Sequence, residues 1–70
     1  MFTFKIYFSN GQFINIIANY FTLDQEEDST YVSFWQMQPD INNPYRANPV
    51  KTAIFSLTNI AGFSNEGPVR

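Results

Sequence analysis

The sequence predicts an all-β fold, either a small, strongly bent antiparallel sheet or a five-stranded SH3-like barrel with a short helical turn before the last strand. Apolar and polar residues alternate strictly from Phe2 to Ser9, which is the pattern of a half-buried strand. Asn10-Gly11 follows at once, and this dipeptide between apolar runs is a strong hairpin signal. The chain is also rich in residues that favour strands, with 8 Phe, 4 Tyr, 1 Trp and few Gly or Pro.

The first predicted hairpin joins the strand Phe2–Phe8 to a longer partner through a type I′ turn at Asn10-Gly11. The partner runs from Gln12 to Leu23. Its apolar residues keep one phase as far as Tyr20, and then Phe21 and Leu23 appear in the other phase. Such a change of phase indicates a bulge or a bend, by which small sheets curve.

The third predicted strand, Thr30 to Gln38, is apolar on both faces. Val32 and Phe34 share one side, and the second side carries Tyr31, Trp35 and Met37. A strand of this type is covered on both faces or offers one face to a partner.

Residues 39–49 are expected to form an irregular loop, because three prolines and three asparagines interrupt the strand pattern. Long loops in small domains are often functional, and this one carries Tyr45 and Arg46, two residue types that are common at interface hot spots. The alternative is a plain surface connection whose prolines restrict the unfolded chain.

A fourth strand is expected from Val50 to Ser56 and a last short strand from Ile60 to Ser64. Residues 57–60, between them, are expected to form a tight turn of helical character. We therefore predict a single β domain over residues 1–64 and a flexible tail over residues 65–70, where Gly67-Pro68 interrupts the strand pattern.

The composition argues against an enzyme. The chain has no His and no Cys, so the usual zinc ligands and the usual base for a serine nucleophile are both missing. Its three glycines form no phosphate-binding motif. We expect no catalytic residue, no cofactor and no metal site.

Charge narrows the possible partners. Only four residues are basic, which disfavours binding to nucleic acid. The net charge of −2 leaves little electrostatic repulsion between copies of the chain. A homo-oligomer or a protein partner is therefore the expectation, without membrane or metal. Nothing resembles a targeting signal or a membrane-spanning run, so we expect a complete protein of the cytoplasm.

Four acidic residues fall in one short window. Asp24, Glu26, Glu27 and Asp28 are expected at a solvated hairpin tip, because the window lacks the Gly of a calcium-binding loop. A contact with a basic protein surface is the second interpretation.

The aromatic residues exceed what one small core needs. Phe2, Phe4, Phe8 and Phe55 fit the strand phases and are expected in the core. The predicted partner-binding residues are the tyrosine and tryptophan residues of the third strand and of the proline-rich segment, together with one arginine: Tyr31, Trp35, Tyr45 and Arg46. An alternative is that tyrosine and tryptophan rings stack on single-stranded nucleic acid.

The opening segment FTFKIYFSNGQFINIIANYF and the closing segment VKTAIFSLTNIAGFSN resemble the small uncharacterised all-β proteins of phages and mobile elements of low-GC Gram-positive bacteria. This resemblance covers about half of the chain. It implies a phage-encoded accessory or early protein that acts in the host cytoplasm by binding a host or defence protein. A minor structural component of the virion is a further alternative.

Overall fold

The computed structural model describes all of residues 1–70 and consists of six strands without a helix. The strands are β1 (Phe2–Phe8), β2 (Phe13–Ala18), β3 (Tyr20–Glu26), β4 (Ser29–Asp40), β5 (Asn43–Ser56) and β6 (Ile60–Pro68). They form two antiparallel sheets, sheet A in the order β2-β1-β6 and sheet B in the order β3-β4-β5. The all-β prediction is confirmed. Of the two predicted architectures, the five-stranded barrel is wrong, because the six strands form two open three-stranded sheets instead of one bent sheet or a barrel.

The first hairpin forms as predicted, but its turn is of another type. The Gly11 N–H donates to the Phe8 carbonyl at 3.0 Å, and the Phe8 N–H donates to the Gln12 carbonyl at 2.8 Å. Gly11 has φ of +87°, whereas Asn10 is not in the left-handed region. A three-residue loop with glycine in the left-handed position therefore replaces the expected type I′ turn.

The phase change in the second predicted strand is a change of sheet. Asn19 separates β2 from β3: its N–H donates to the Trp35 carbonyl at 2.8 Å, and its Oδ1 accepts the Met37 N–H at 2.7 Å. On either side of Asn19 the apolar residues point into the same core from different sheets. Ile16 and Ala18 reach it from sheet A, and Phe21 reaches it from sheet B.

The hairpin between β3 and β4 closes through only two residues, since Glu26 pairs with Ser29. Glu27, the first of the two, has φ of +54°, a conformation that non-glycine residues other than Asn and Asp seldom adopt. The turn also gathers like charges at Glu26, Glu27 and Asp28. It therefore carries both backbone strain and charge repulsion.

We expect Glu27→Gly to raise the free energy of unfolding by about 0.5–1 kcal/mol, because glycine adopts a positive φ without steric cost at the first position of a two-residue turn. Urea denaturation followed by Trp35 fluorescence measures the change. Asp28→Asn is the matched control, since it removes the same charge from the same turn without a positive φ. Equal shifts in the two variants would assign the effect to charge and contradict the strain argument.

Residues 39–49 do not form the expected irregular loop. β4 continues to Asp40 and β5 begins at Asn43, so the segment is the end of a long two-stranded hairpin. We call residues 37–52 the arm; all of them are exposed except Asp40, which is half-buried. The prolines fit because a proline on a strand is tolerated where no N–H is required by the ladder. The arm gives the chain an elongated shape of 43 × 34 × 13 Å.

Residues 57–59, between β5 and β6, form a hydrogen-bonded turn and not the predicted helical turn. The Asn59 N–H donates to the Ser56 carbonyl at 3.0 Å, which closes it. β6 then runs past Ser64 to Pro68 beside β1, and the Val69 N–H donates to the Met1 carbonyl at 2.9 Å. Residues 65–68, which we predicted as part of a flexible tail, therefore belong to the paired strand β6.

The core lies between the sheets and is small. Six apolar residues are buried, and six more pack against them while remaining partly exposed. The buried set is Phe4, Ile6, Ala18, Val32, Phe34 and Ile60. Of the predicted core phenylalanines, Phe4 is buried and Phe8 and Phe55 pack against the core, whereas Phe2 is 37 % exposed.

Candidate protein-binding surface

The outer face of sheet B brings an aromatic, an acidic and a basic group together. The strand register places Tyr20, Trp35 and Lys51 in one row across the three strands. Four residues further along β3, Asp24 stands opposite Tyr31. Ile54, 51 % exposed, lies between these rows. We call this set the Trp35 surface; its members are Tyr20, Asp24, Tyr31, Trp35, Lys51 and Ile54.

The indole ring of Trp35 is held in one orientation by three neighbours. Its Nε1–H donates to Thr22 Oγ1 at 2.8 Å. The Tyr20 ring lies parallel to it, with 9° between the planes and 6.2 Å between centroids. The Lys51 Nζ lies 5.1 Å from the ring centroid, within the range of a cation–π contact. A ring fixed in this way loses little side-chain entropy when a partner covers it.

The Asp24 carboxylate belongs to the same hydrogen-bonded group. Its Oδ2 accepts the Ser33 hydroxyl at 3.0 Å and the Thr22 hydroxyl at 3.4 Å. Ser33 is fully buried, so Asp24 satisfies a hydroxyl that water does not reach. Thr22 in turn connects this carboxylate to the Trp35 ring. Asp24 therefore organises the surface and does not stand with the charges at the hairpin turn.

A shallow open depression of about 530 Å³ runs along the Trp35 surface. Its floor is apolar and aromatic, one end is acidic and the other end carries a lysine ammonium. Its lining residues are Leu23, Asp24, Gln25, Glu26, Tyr31, Trp35, Lys51 and Ile54.

The structure divides the predicted site residues into two places. Tyr31 and Trp35 lie together on the depression. Tyr45 and Arg46 lie on the arm and do not line it; the Tyr45 side chain is 98 % exposed. Among the predicted acidic residues, Glu26 joins Asp24 at the acidic end of the depression, and Glu27 and Asp28 form the turn itself.

The predicted partner-binding set lacked three members of this surface, Tyr20, Lys51 and Ile54, and also Thr22, which bonds to Trp35. A signal existed for Tyr20 and Thr22, because a two-residue turn at Glu27-Asp28 fixes the register in which Tyr20 faces Trp35. No such signal existed for Lys51. Its place beside Trp35 depends on the arm being a paired hairpin and on a register shift after Phe34.

Comparisons of the chain with known protein families, with curated proteins and with solved structures found no significant match. The structure contains no helix that is long and apolar enough to cross a membrane. It also contains no group of three or more acidic, His or Cys side chains placed to hold a metal ion.

Proposed function

We propose that this chain is a non-enzymatic interaction protein that binds a protein partner through the Trp35 surface. The observation that carries the proposal is the fixed orientation of the Trp35 ring on an open face of the sheet. Tryptophan and tyrosine dominate interface hot spots because they supply a large and rigid contact area. The resemblance to small phage proteins makes a host or defence protein of the cytoplasm the expected partner.

The charges of the surface indicate the chemistry of that partner. Asp24 and Glu26 stand at one end of the depression, and two more carboxylates follow at the adjacent turn. A complementary surface therefore places Lys or Arg side chains over this acidic end and apolar side chains over Tyr31 and Trp35. The aliphatic part of a Lys or Arg side chain can also pack on the Tyr31 ring while its charged group reaches the carboxylates.

The test is affinity capture from a lysate of a low-GC Gram-positive host, with quantitative mass spectrometry and Trp35→Ala as the first variant. We expect a protein captured by the wild-type chain to fall at least about tenfold with Trp35→Ala, the effect of removing one hot-spot side chain. Tyr7→Ala is the matched control, because Tyr7 is an exposed aromatic residue on the outer face of sheet A. Circular dichroism shows whether each variant keeps its fold.

A pair of charge reversals tests the acidic end without removing a packed ring. Glu26→Lys changes a residue that lines the depression, whereas Glu66→Lys makes the same change on β6. We expect only Glu26→Lys to weaken capture, and we expect added salt to weaken wild-type binding. Equal capture by wild type, Trp35→Ala and Glu26→Lys would contradict this function for the surface.

One observation supports a second candidate function, the binding of single-stranded nucleic acid. The Lys51 ammonium beside the Trp35 ring combines a cation with a stacking surface, as single-strand binders do. This function requires quenching of Trp35 fluorescence by oligonucleotides and an affinity that falls steeply with salt. Absence of quenching at low salt would eliminate it and leave the protein partner.

A further inference from the structure

The free edge of β2 differs from the other three free edges of the two sheets. Strand order leaves one side of β2, β6, β3 and β5 without a neighbouring strand. Natural proteins protect such edges with charges and prolines. Three of the four carry this protection: β3 has Asp24 and Glu26, β5 has Pro44, Arg46, Pro49 and Lys51, and β6 has Glu66 and Pro68. The sequence of β2, FINIIA, contains neither a charge nor a proline.

The backbone groups at this edge can be assigned from the ladder. The Phe8 N–H donates to the Gln12 carbonyl, so by alternation Ile14, Ile16 and Ala18 direct their backbone groups to β1. Phe13 and Asn15 therefore direct their N–H and carbonyl groups outwards. Gln36 Nε2 donates to the Ile17 carbonyl at 2.7 Å, which marks the end of the unoccupied stretch.

The side chains of β2 add exposed apolar surface to this edge. Phe13 is 51 % exposed, Ile14 is 42 % and Ile17 is 44 %. The chain as a whole has an accessible surface of 5143 Å², whereas a folded monomer of its 8.1 kDa mass typically has about 4,500 Å². The exposed arm contributes to this excess. At the β2 edge, a second copy brings the same uncharged apolar strand, and a net charge of −2 leaves little repulsion between copies.

We propose that two copies of the chain pair through the free edges of their β2 strands to form a symmetric dimer. The strands run antiparallel, Phe13 faces Asn15 of the second copy, and the two Ile14 side chains meet at the two-fold axis. This register pairs the outward backbone groups of Phe13 and Asn15 and leaves the Ile17–Gln36 bond intact. Sheets A of the two copies then form one continuous six-stranded sheet.

The test uses proline at a position where only the intermolecular ladder needs an N–H. Asn15→Pro removes an outward N–H and leaves the bonds to β1, as proline on an edge strand permits. Asn15→Ala removes the side chain but keeps the N–H and is the matched control. Ile14→Lys, a second disrupting variant, places two charges opposite each other at the two-fold axis.

Analytical ultracentrifugation up to about 100 µM, above the micromolar dissociation constants of weak interfaces, measures the outcome. We expect wild type and Asn15→Ala to have a mass of twice 8.1 kDa in solution. The variants Asn15→Pro and Ile14→Lys are expected to sediment as folded monomers. A monomeric wild type, or a dimer that persists in Ile14→Lys, overturns the proposal. If Asn15→Pro unfolds, Ile14→Lys decides. Trp35→Ala remains a dimer, because the Trp35 surface lies on the other sheet, so the two proposals can fail separately.

Discussion

Phe34→Ala is expected to lower the free energy of unfolding by about 3–5 kcal/mol, which is most of the stability of a domain of this size. Phe34 is fully buried, and its ring touches four other phenylalanine rings at centroid distances of 5.1 to 6.3 Å. These partners come from both sheets; they are Phe4, Phe21, Phe55 and Phe63. Removing the ring leaves a cavity at the centre of the contact between the sheets, and the neighbouring rings can fill it only in part.

Urea denaturation followed by Trp35 fluorescence measures this loss, and circular dichroism shows whether any fold remains without denaturant. Phe2→Ala is the matched control, since Phe2 is 37 % exposed and forms a single aromatic pair, with the Phe4 ring at 6.5 Å between centroids. We expect the control to lose about 1 kcal/mol or less, because much of its surface already faces water. A Phe34→Ala variant as stable as the control would show that the sheets do not pack through this ring.

The second large effect is expected at Asn19. Asn19→Ala removes the side-chain acceptor of the Met37 N–H at the point where the chain passes from sheet A to sheet B. Loss of one net hydrogen bond costs about 0.5–1.5 kcal/mol; Asn19 is half-buried, although Met37 itself is exposed. We therefore expect a loss of this size in urea denaturation.

Asn43→Ala is the control for Asn19→Ala. The Asn43 Oδ1 also accepts a backbone N–H, that of Tyr45, but the two residues are neighbours on the exposed arm. We expect its loss to stay within about 0.5 kcal/mol, as for most surface substitutions. Similar losses in both variants would mean that the Asn19 side chain does not join the sheets.

The parts of the fold that the sequence predicts are those set by local chemistry. The alternation in β1 and the glycine at position 11 suffice for the first hairpin, and Val32 and Phe34 point to the core as their phase predicts. The phase change after Tyr20 was a correct sign of a bend. It did not reveal that the chain changes sheet, because that depends on bonds from Asn19 to residues of β4, far along the chain.

The arm was mispredicted for a physical reason. Prolines and asparagines normally interrupt a strand, but Pro39 and Pro49 occupy ladder positions opposite Ala47 and Met37 on a two-stranded hairpin. The prediction of the candidate site was incomplete for the same reason. Trp35 and Tyr31 could be selected by residue type, whereas Lys51 reaches Trp35 only through the pairing of the arm.

The pairing of β1 with β6 has a consequence for the order in which the molecule is made. Phe2 pairs with Pro68, and Ile6 pairs with Phe63, so β1, made before the other five strands, cannot complete its pairing until β6 has been made. Sheet B, in contrast, consists of two consecutive hairpins and can form earlier. During synthesis, the edge of β1 that β6 occupies in the folded protein therefore stays unpaired until residues 60–68 emerge. In this interval the nascent chain is most open to aggregation and to capture by chaperones.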